Sequence, residues 1–379
     1  MGTVLAMTPR IAIVHEWLTG MRGGEKCVEV LCELHPDATL FTLLHVRGSV
    51  SPVIERMTIR TSFVQHLPLA SSRYRHYLPL FPLAIRSLDL DPFDIVISSN
   101  HCVAKGVRTR PDALHICYCH TPMRYIWGMY DQYFRNARAG LLTRAGMGMV
   151  VNYLRRFDVR TARNPHYFVA NSQNVRERIG RIYHREADVI YPPVDTHRFT
   201  DPRGPGDYFL VVSALVPYKR VDLAIGACNR TGDRLVIVGT GPDRESLEAM
   251  AGPTVDFAGW VDDEHLGAYY AGCRAVIFPG EEDFGIVPVE ALASGRPVIA
   301  FARGGALETI TEQGDIPTGV MFHEQTVDAL LGALHRFASR VFDPRALRTV
   351  AQRFDREVYR EAMRRYISLR WETFRRKSE

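Results

Sequence analysis

The stretch FPGEEDFGIVPVEALASGRPVIAF, residues 278–301, decides the fold. It reads as the end of a buried strand, a loop, a helix and a second strand. Pro288 suits the first helical position and Gly295 the position just past the helix end. A helix entered from a loop leaves its first backbone N–H groups open, here those of Gly285, Ile286 and Val287, and such a terminus is a ready anion site. Glu282 lies on the loop and Glu290 in the first helical turn, so two carboxylates flank a ligand held there, with Phe284 as an apolar surface beside it. Open α/β sheets take their ligands at this edge. The plainer reading has Glu290 complementing the helix dipole and Glu282 solvated.

The same alternation extends outward along the whole chain. RIAIVHEW, ATLFTLLH, FDIVISS, ALHICYCH and HYFVANS read as buried strands of a first half, and DYFLVVSAL, RLVIVG, VDFAGW, RAVIFPG and PVIAF as strands of a second. Helical patterns such as GGEKCVEVLCELH, NVRERIGRIY, KRVDLAIGACN, DRESLEAMAG and DEHLGAYYAG lie between them. Alternating strands and helices point to parallel sheets covered on both faces, an α/β architecture of two doubly wound domains. The Pro-, Gly- and Asp-rich stretch VIYPPVDTHRFTDPRGPGD separates the halves. The expected division is 1–195, 196–343, and a charged helical segment, 344–379, docking back on the first domain.

Composition bounds the function. The chain has 379 residues, 46% of them hydrophobic and 23% charged, as in a globular protein. A net charge of +5 suits an anionic substrate or a membrane surface and is too weak to indicate nucleic acid. No apolar run approaches the roughly 18 residues of a spanning helix. MGTVLAM lacks the basic start of a signal peptide, so a cytoplasmic chain is expected. Seven irregularly spaced cysteines fit reduced thiols.

Further motifs follow predicted strands. In VVSALVPYKRVD, Lys219 and Arg220 open a helix where a cation can reach a phosphate; otherwise they are two surface bases. VGTGPDRESL begins like a dinucleotide fingerprint, but Pro242 and Asp243 interrupt it, so Gly239 is read as part of a turn near a nucleotide. In MRGGEKCVEVL, Gly23 and Gly24 enter the first helix and allow close approach of the backbone to a phosphate, or else make a simple tight turn. HICYCHTPMR, residues 115–124, offers two histidines and two cysteines. On a straight strand His115, Cys117 and Cys119 share one face about 6.6 Å apart, a poor chelate for a metal whose sulfur ligands must approach to about 4 Å. They read as core residues. His120 ends the strand before Thr121-Pro122, and Arg124 beyond it is a candidate for an anionic acceptor group. Asp89-Leu-Asp91 has the Asp-x-Asp form of a metal-binding pair, a pattern short enough to arise by chance, so no metal site is assigned.

These residues resemble glycosyltransferase family 4, whose fold is the two-Rossmann GT-B architecture with domains facing a cleft. Glu282 and Glu290 match its E-x7-E motif in the context EDFGIVPVE, RGGEK its N-terminal Gly-Gly-x-Glu loop, and VPYKR its phosphate-binding Lys. FAGWVDDEHL and GRPVIAFARGGALETI stand where the family places base-contacting and helix-packing segments, which implies a donor contact at Val261. The texture of HTPMRYIW, SALVPYKR and YPPVD is similar to bacterial mannosyltransferases that use GDP-mannose to build surface polysaccharides. One departure stands out: Ala214 occupies a position where many members carry an Arg, so either Arg220 replaces that cation or the first-half glycines carry more of the charge.

The resemblance implies a retaining, metal-independent transfer from a nucleotide sugar to a glycan or polyprenyl-diphosphate-linked acceptor, with no cofactor. Lys219 and the helix terminus would neutralise the diphosphate, Glu290 would hold the ribose, and Glu282 the sugar hydroxyls. His120 takes the role of the family's histidine near the donor sugar, facing Glu282 across the cleft. A UDP-sugar donor, or an epimerase or sugar-phosphate synthase on the same fold, are the nearest alternatives; a nicotinamide oxidoreductase on the GTG turn and a metallohydrolase on HICYCH are the distant ones. Seven arginines and one acid, Asp158, between Arg135 and Arg163, and the basic-aromatic run RYRHYLPLFPLAIR (73–86), read either as solvated surface or as attachment to the inner face of an anionic membrane.

Overall fold

A computed structural model describes residues 9–127, 141–199 and 206–378. The chain forms two compact units: residues 1–191 with 359–379, and residues 192–358. Residues 344–358 of the expected returning segment therefore cluster with the second unit, because the helix Pro344–Ala351 lies against the helix Ile286–Ala293. The expected interdomain stretch is partly structured: Val194 pairs with Asp355 and Thr196–Phe199 forms a 3-10 turn, while 200–205 lie outside the described residues.

In the first unit seven parallel strands, β1 (Ile11–Leu18), β2 (Thr39–His45), β3 (Thr58–Thr61), β4 (Ile95–Asn100), β5 (Leu114–Cys119), β6 (Tyr167–Ala170) and β7 (Asp188–Val189), are ordered β3-β2-β1-β4-β5-β6-β7. Both faces are covered. Val28, Leu31, Ile97 and Ile116 pack on one side; Val14, Phe41, Phe81 and Phe157 pack on the other. The helix Arg356–Ser378 contributes Tyr359, Met363 and Ile367 to the first of these cores, a stripe four residues apart that is one face of a helix.

In the second unit six parallel strands, β8 (Tyr208–Val212), β9 (Arg234–Val238), β10 (Val255–Gly259), β11 (Cys273–Phe278), β12 (Val298–Phe301) and β13 (Gly319–Phe322), are ordered β10-β9-β8-β11-β12-β13. Each sheet has one topological switch point, between β1 and β4 in the first and between β8 and β11 in the second. Loops leaving the carboxyl ends of those strands diverge there and open a crevice.

The opening stretch folds nearly as read, with one shift. The helix is Ile286–Ala293, entered through Gly285 at φ +87° and left through Gly295 at φ +72°. Pro288 is its third residue, not its first, and Glu290 stands in the second turn. A proline is tolerated there because the first turn's N–H groups have no helical acceptor anyway.

Candidate functional site

In the second unit the loops after β8 and β11 meet at the switch point. The Lys219 ammonium and the Glu282 carboxylate form a close ion pair, with both side chains largely shielded from solvent (15% and 23% exposed). The backbone brings them together. Gly280 follows β11 and passes so near Lys219 that an added Cβ would lie 3.0 Å from its Cα. Glu282 is fixed from the other side, where Gly305 N–H donates to its carbonyl at 2.9 Å. A Cβ at Gly304 or Gly305 would collide with the carbonyl of Glu282 or Phe284, so the ARGGALE loop needs both glycines to lie on this segment.

Glu290 is nearly inaccessible (6% exposed) and accepts a hydrogen bond at 2.7 Å from the Tyr270 hydroxyl, itself fully buried. Burial, reinforced by the carboxylate, pushes the phenol pKa well up, so Tyr270 stays a donor. Tyr270 was not legible as a site residue; it reads as one apolar position of DEHLGAYYAG. Phe284 was expected as a surface for the ligand. Its ring is instead buried (3% exposed) against Phe354, 5.5 Å between centroids, because Gly285 turns the chain so that Phe284 points into the core. Gly285, Ile286 and Val287 form the N-terminus of the helix, with Gly285 buried and Ile286 and Val287 half-buried.

Arg220 adopts the left-handed conformation (φ 53°), and its guanidinium is held by Asp222 at 3.0 Å and by the Gln325 carbonyl at 3.3 Å. A cleft of about 390 Å³ opens beside it, lined by Pro217, Asp222, Asp243 and Met250; neither Glu282 nor Gly285 lines it, so it is distinct from the Lys219–Glu282 loop. Gly239 (φ +136°) ends β9, and a Cβ there would collide with the Ser213 carbonyl. The GTG turn is thus a close crossing of two loops, a packing role that the turn reading did not include. Val261 is half-buried on the loop after β10.

In the first unit the residues at the switch point form a buried polar cluster. His15 on β1 faces Ser99 on β4, Nδ1 to Oγ 3.1 Å, and Ser99 Oγ reaches His120 Nε2 at 2.8 Å. Gly24 lies directly beneath: a Cβ there would sit 3.4 Å from His15 Cε1 and 3.7 Å from His120 Nε2. Gly23 is the first residue of the helix Gly23–Leu34, and Glu25 in the same turn caps Arg22 N–H at 3.1 Å while standing 3.6 Å from His15 Nε2. His120, just past the end of β5, is half-buried. Burial, with the neighbouring imidazoles His101 and His15, pushes its pKa down to about 3, so it is neutral.

Glu16 is buried beside it. Its Oε1 accepts from the N–H groups of His101, Cys102 and Ala104 at 2.8–3.1 Å, and its Oε2 lies 3.0 Å from His101 Nδ1. Burial alone would raise its pKa, but the two histidines and these donors hold it well below the usual carboxylate range. The ligand-type atoms of His15, Glu16 and His101 lie within 4.8 Å of one another, the spacing of a cation site. With Oε1 already given three backbone donors, the arrangement is that of a buried carboxylate held between backbone N–H groups and two imidazoles. Sequence reading passed over His15, Glu16, Ser99 and His101; the signal was an adjacent His-Glu pair inside a strand otherwise apolar enough to be buried on both faces.

HICYCH separates as expected. Cys117 and Cys119 are buried with Phe168, Val175 and Ile179. His115 bonds Ser98 Oγ at 2.9 Å, and burial pushes its pKa down to about 3. All seven cysteines are buried and free. Asp89 Oδ1 accepts from Asp91 N–H at 3.1 Å, so this Asp-x-Asp closes a turn on itself. Arg124 begins the short helix Arg124–Trp127 and is half-buried. Of the basic stretch 135–163, residues 135–140 lie outside the described residues. Arg155 bonds the Ile126 carbonyl at 2.7 and 2.9 Å, and Asp158 is buried with Lys105, Tyr183 and Trp127. No helix among the described residues is long and apolar enough to cross a membrane.

Comparison with known proteins adds the following. Residues 28–198 match the family Glycosyltransferase Family 4, and residues 195–349 match Glycosyl transferases group 1. The chain is 32% identical over 128 residues to the sulfoquinovosyl transferase SQD2 of Arabidopsis thaliana (32% of this chain, 25% of that protein). It is 39% identical over 128 residues to a GDP-mannose-dependent alpha-mannosyltransferase of Mycobacterium tuberculosis (33% of each). It is 36% identical over 173 residues to a GDP-mannose-dependent alpha-(1-6)-phosphatidylinositol monomannoside mannosyltransferase of Mycolicibacterium smegmatis (38% and 44%). The matches thus span a quarter to under half of these relatives' lengths. Among solved structures, sucrose-phosphate synthase of Thermosynechococcus elongatus superposes with a TM-score of 0.70 at 18% identity, covering 97% of this chain and 100% of that one. Anabaena HepE in complex with UDP and glucose gives 0.66 at 17%, covering 95% and 100%. At these identities the likeness is one of fold.

Proposed function

This chain belongs to glycosyltransferase family 4, with the GT-B fold of two Rossmann-like domains, and on that premise we propose that it transfers mannose from GDP-mannose to a glycan or polyprenyl-diphosphate-linked acceptor, with retention of configuration. The observation that carries the reading is the Lys219–Glu282 pair beside the open N-terminus of the helix Ile286–Ala293. A cation and a helix N-terminus at one switch point suit a diphosphate, and a carboxylate in the same place suits sugar hydroxyls.

The donor binds with its diphosphate on Lys219 and on the N–H groups of Gly285, Ile286 and Val287, and its ribose on Glu290. Tyr270 donates to Glu290 Oε2 and steadies the carboxylate that takes the ribose. Lys219 exchanges Glu282 for phosphate, which releases Glu282 to accept from the sugar. Gly239 and Val261 line the nucleoside, and Arg124 meets the acceptor. As the C1–phosphate oxygen bond breaks, positive charge grows on the sugar ring and negative charge on the leaving diphosphate. Lys219 and the helix terminus stabilise the latter where it develops. The acceptor hydroxyl bonds to C1 from the same face and gives its proton to the departing phosphate oxygen, which accounts for retention without a protein nucleophile. Cation and helix terminus supply the charge compensation, so the reaction is assigned no metal and no cofactor.

GDP-mannose as donor is supported by the relatives that carry it in their names. A thermal-shift and hydrolysis screen over GDP-, UDP- and ADP-sugars tests it. GDP-mannose is expected to give the largest shift and the only sustained turnover; turnover with UDP-glucose and none with GDP-mannose sinks the donor assignment.

We further propose that the first unit rests on an anionic membrane surface, on the inner face of the membrane. On the helix Leu141–Thr161 the exposed residues Met149, Tyr153, Arg156 and Arg160 fall at helical spacing on one stripe. Leu80 and Leu83 are exposed beside the exposed Arg75 and Arg86. Apolar side chains with arginines suit the headgroup region of an anionic leaflet.

A further inference from the structure

We propose that Arg155 and Asp158 are positioning residues for the acceptor: they clamp the short helix Arg124–Trp127, which carries Arg124, onto the helix Leu141–Thr161. The inference rests on the reading above in which Arg124 meets the acceptor, and every contact it uses lies within the first unit. A single helical turn does not hold itself, because its backbone angles are fixed for few hydrogen bonds. The N–H groups of Ile126 and Trp127 reach the Met123 carbonyl at 3.2 and 3.3 Å, and the rest of the hold comes from side chains 29 and 31 residues further along. Arg155 Nε and Nη2 both donate to the Ile126 carbonyl, at 2.9 and 2.7 Å, placing a cation on an acceptor in the last turn of the helix. The same guanidinium lies 5.3 Å from the centre of the Trp127 ring. The Trp127 indole N–H donates to Asp158 Oδ2 at 2.7 Å. Met123 and Ile126 are fully buried in the same core as Val151 and Leu154 of the long helix.

Asp158 is a fixed point. Its carboxylate is fully buried and accepts from Lys105 Nζ, from the Tyr183 hydroxyl at 2.9 and 3.0 Å, and from Trp127. An ammonium and an indole N–H can only donate, so the direction of those bonds follows from the groups themselves. Lys105, also fully buried, belongs to the turn Ala104–Gly106 after β4, and Tyr183 ends the helix Gln173–Tyr183. Next to Lys105, a Cβ added to Gly106 would lie 2.5 Å from the Phe157 ring, so this turn packs directly on the long helix. The carboxylate is therefore tied to the framework of the sheet, and Trp127 and Arg155 pass that fixed position on to the turn bearing Arg124. A purely structural role for these contacts predicts a uniform loss when they are cut; a positioning role predicts a loss confined to the acceptor.

Replacing Asp158 would strand the buried Lys105 charge, so the test uses Arg155→Met and Trp127→Phe, which keep most of each side chain and remove its donors. Hydrogen–deuterium exchange of the full chain, read by mass spectrometry, is expected to show the amides of residues 123–127 exchanging about tenfold faster in Arg155→Met, with β4 and β5 unchanged. With GDP-mannose as donor and a short-chain isoprenyl-diphosphate-linked sugar as the probe acceptor, either variant is expected to raise KM for the acceptor about five- to tenfold. KM for GDP-mannose and its hydrolysis by water should stay at the wild-type values, and Arg155→Lys, which restores one donor, should recover part of the loss. Unchanged exchange overturns the clamp, and equal losses toward donor and acceptor overturn the positioning role. Arg124→Ala separates the inference from the reading beneath it. A raised acceptor KM there, with a wild-type value in Arg155→Met, refutes the clamp alone; a wild-type value in Arg124→Ala refutes the acceptor reading and the inference with it.

Discussion

Lys219 and Glu282 lie 63 residues apart in the chain and meet as an ion pair across the point where the second sheet reverses its strand order. The first leaves β8 and the second leaves β11, adjacent strands whose following loops must diverge. Each charge is paired with the other. The proposed chemistry needs them to part, with substrate replacing the contact.

Truncating either partner should therefore abolish transfer and leave the fold intact. Lys219→Ala and Glu282→Ala are each expected to lower kcat/KM by about a hundredfold or more, the scale of losing one group aimed at developing charge. The pair is partly exposed, so its loss should cost little stability. Steady-state transfer assays with thermal melting decide it: wild-type turnover in either variant removes the residue from the site.

Tyr270 should act through Glu290. Removing its hydroxyl frees Glu290 Oε2 and loosens the carboxylate that holds the ribose. Tyr270→Phe is expected to raise KM for the nucleotide sugar about five- to tenfold with kcat nearly constant, the worth of about one ordinary hydrogen bond. Binding of GDP alone, by calorimetry, should weaken by the same factor. An unchanged affinity breaks the link between Tyr270 and the donor.

Metal removal should be without effect. The positive end of the site is assigned to Lys219 and three backbone N–H groups, none of which needs a cation to reach phosphate. Transfer measured after exhaustive EDTA treatment is expected to match the untreated enzyme; loss of activity restored by added magnesium or manganese contradicts the assignment.

How far the sequence anticipated this can be argued from particular residues. The ten strands read from apolar runs are all present, because buried parallel strands announce themselves by continuous β-branched stretches. The three that escaped, β3, β7 and β13, are short, polar, or both: TIRT, DV and GVMF lack such a run. Glu282 and Lys219 were legible as residues in loops after strands, but their contact depends on which strands are neighbours, which no local pattern encodes. Phe284 was misread because an aromatic beside glycine looks like a ligand surface, while the positive φ of Gly285 turns it inward. The His15–Ser99–His120 chain joins three strands and was invisible for the same reason as the ion pair.

Acid should weaken the first unit through its neutral buried histidines. His115 and His120 both have their pKa pushed from 6.5 to about 3, chiefly by burial. A group depressed in the folded state contributes stability above its unfolded pKa, and that contribution is lost as pH falls from 6.5 toward 3. Each histidine adds up to about 1.4 kcal/mol per pH unit to the slope. His15, whose pKa is raised, has the opposite sign: its contribution is complete below 6.5 and fades as pH rises through its folded value. Urea unfolding between pH 6.5 and 4.5 should give a shallower stability slope for His115→Gln than for wild type. Equal slopes would mean that His115 is not held neutral.

Membrane attachment should follow the arginine stripe. Arg156 and Arg160 are exposed one turn apart on the helix Leu141–Thr161, beyond the exposed Met149 and Tyr153. Near an anionic surface each such charge contributes about 1 kcal/mol. Reversing both, Arg156→Glu with Arg160→Glu, is expected to weaken binding to phosphatidylglycerol vesicles by at least about thirtyfold at low salt. Binding by wild type should fall as salt shortens the screening length, whereas binding to neutral phosphatidylcholine vesicles should be weak at any salt. Neither residue belongs to the proposed donor site, so transfer to a soluble acceptor should be unaffected in the double variant. Wild-type affinity of that variant for anionic vesicles would show that this face of the helix does not meet the membrane.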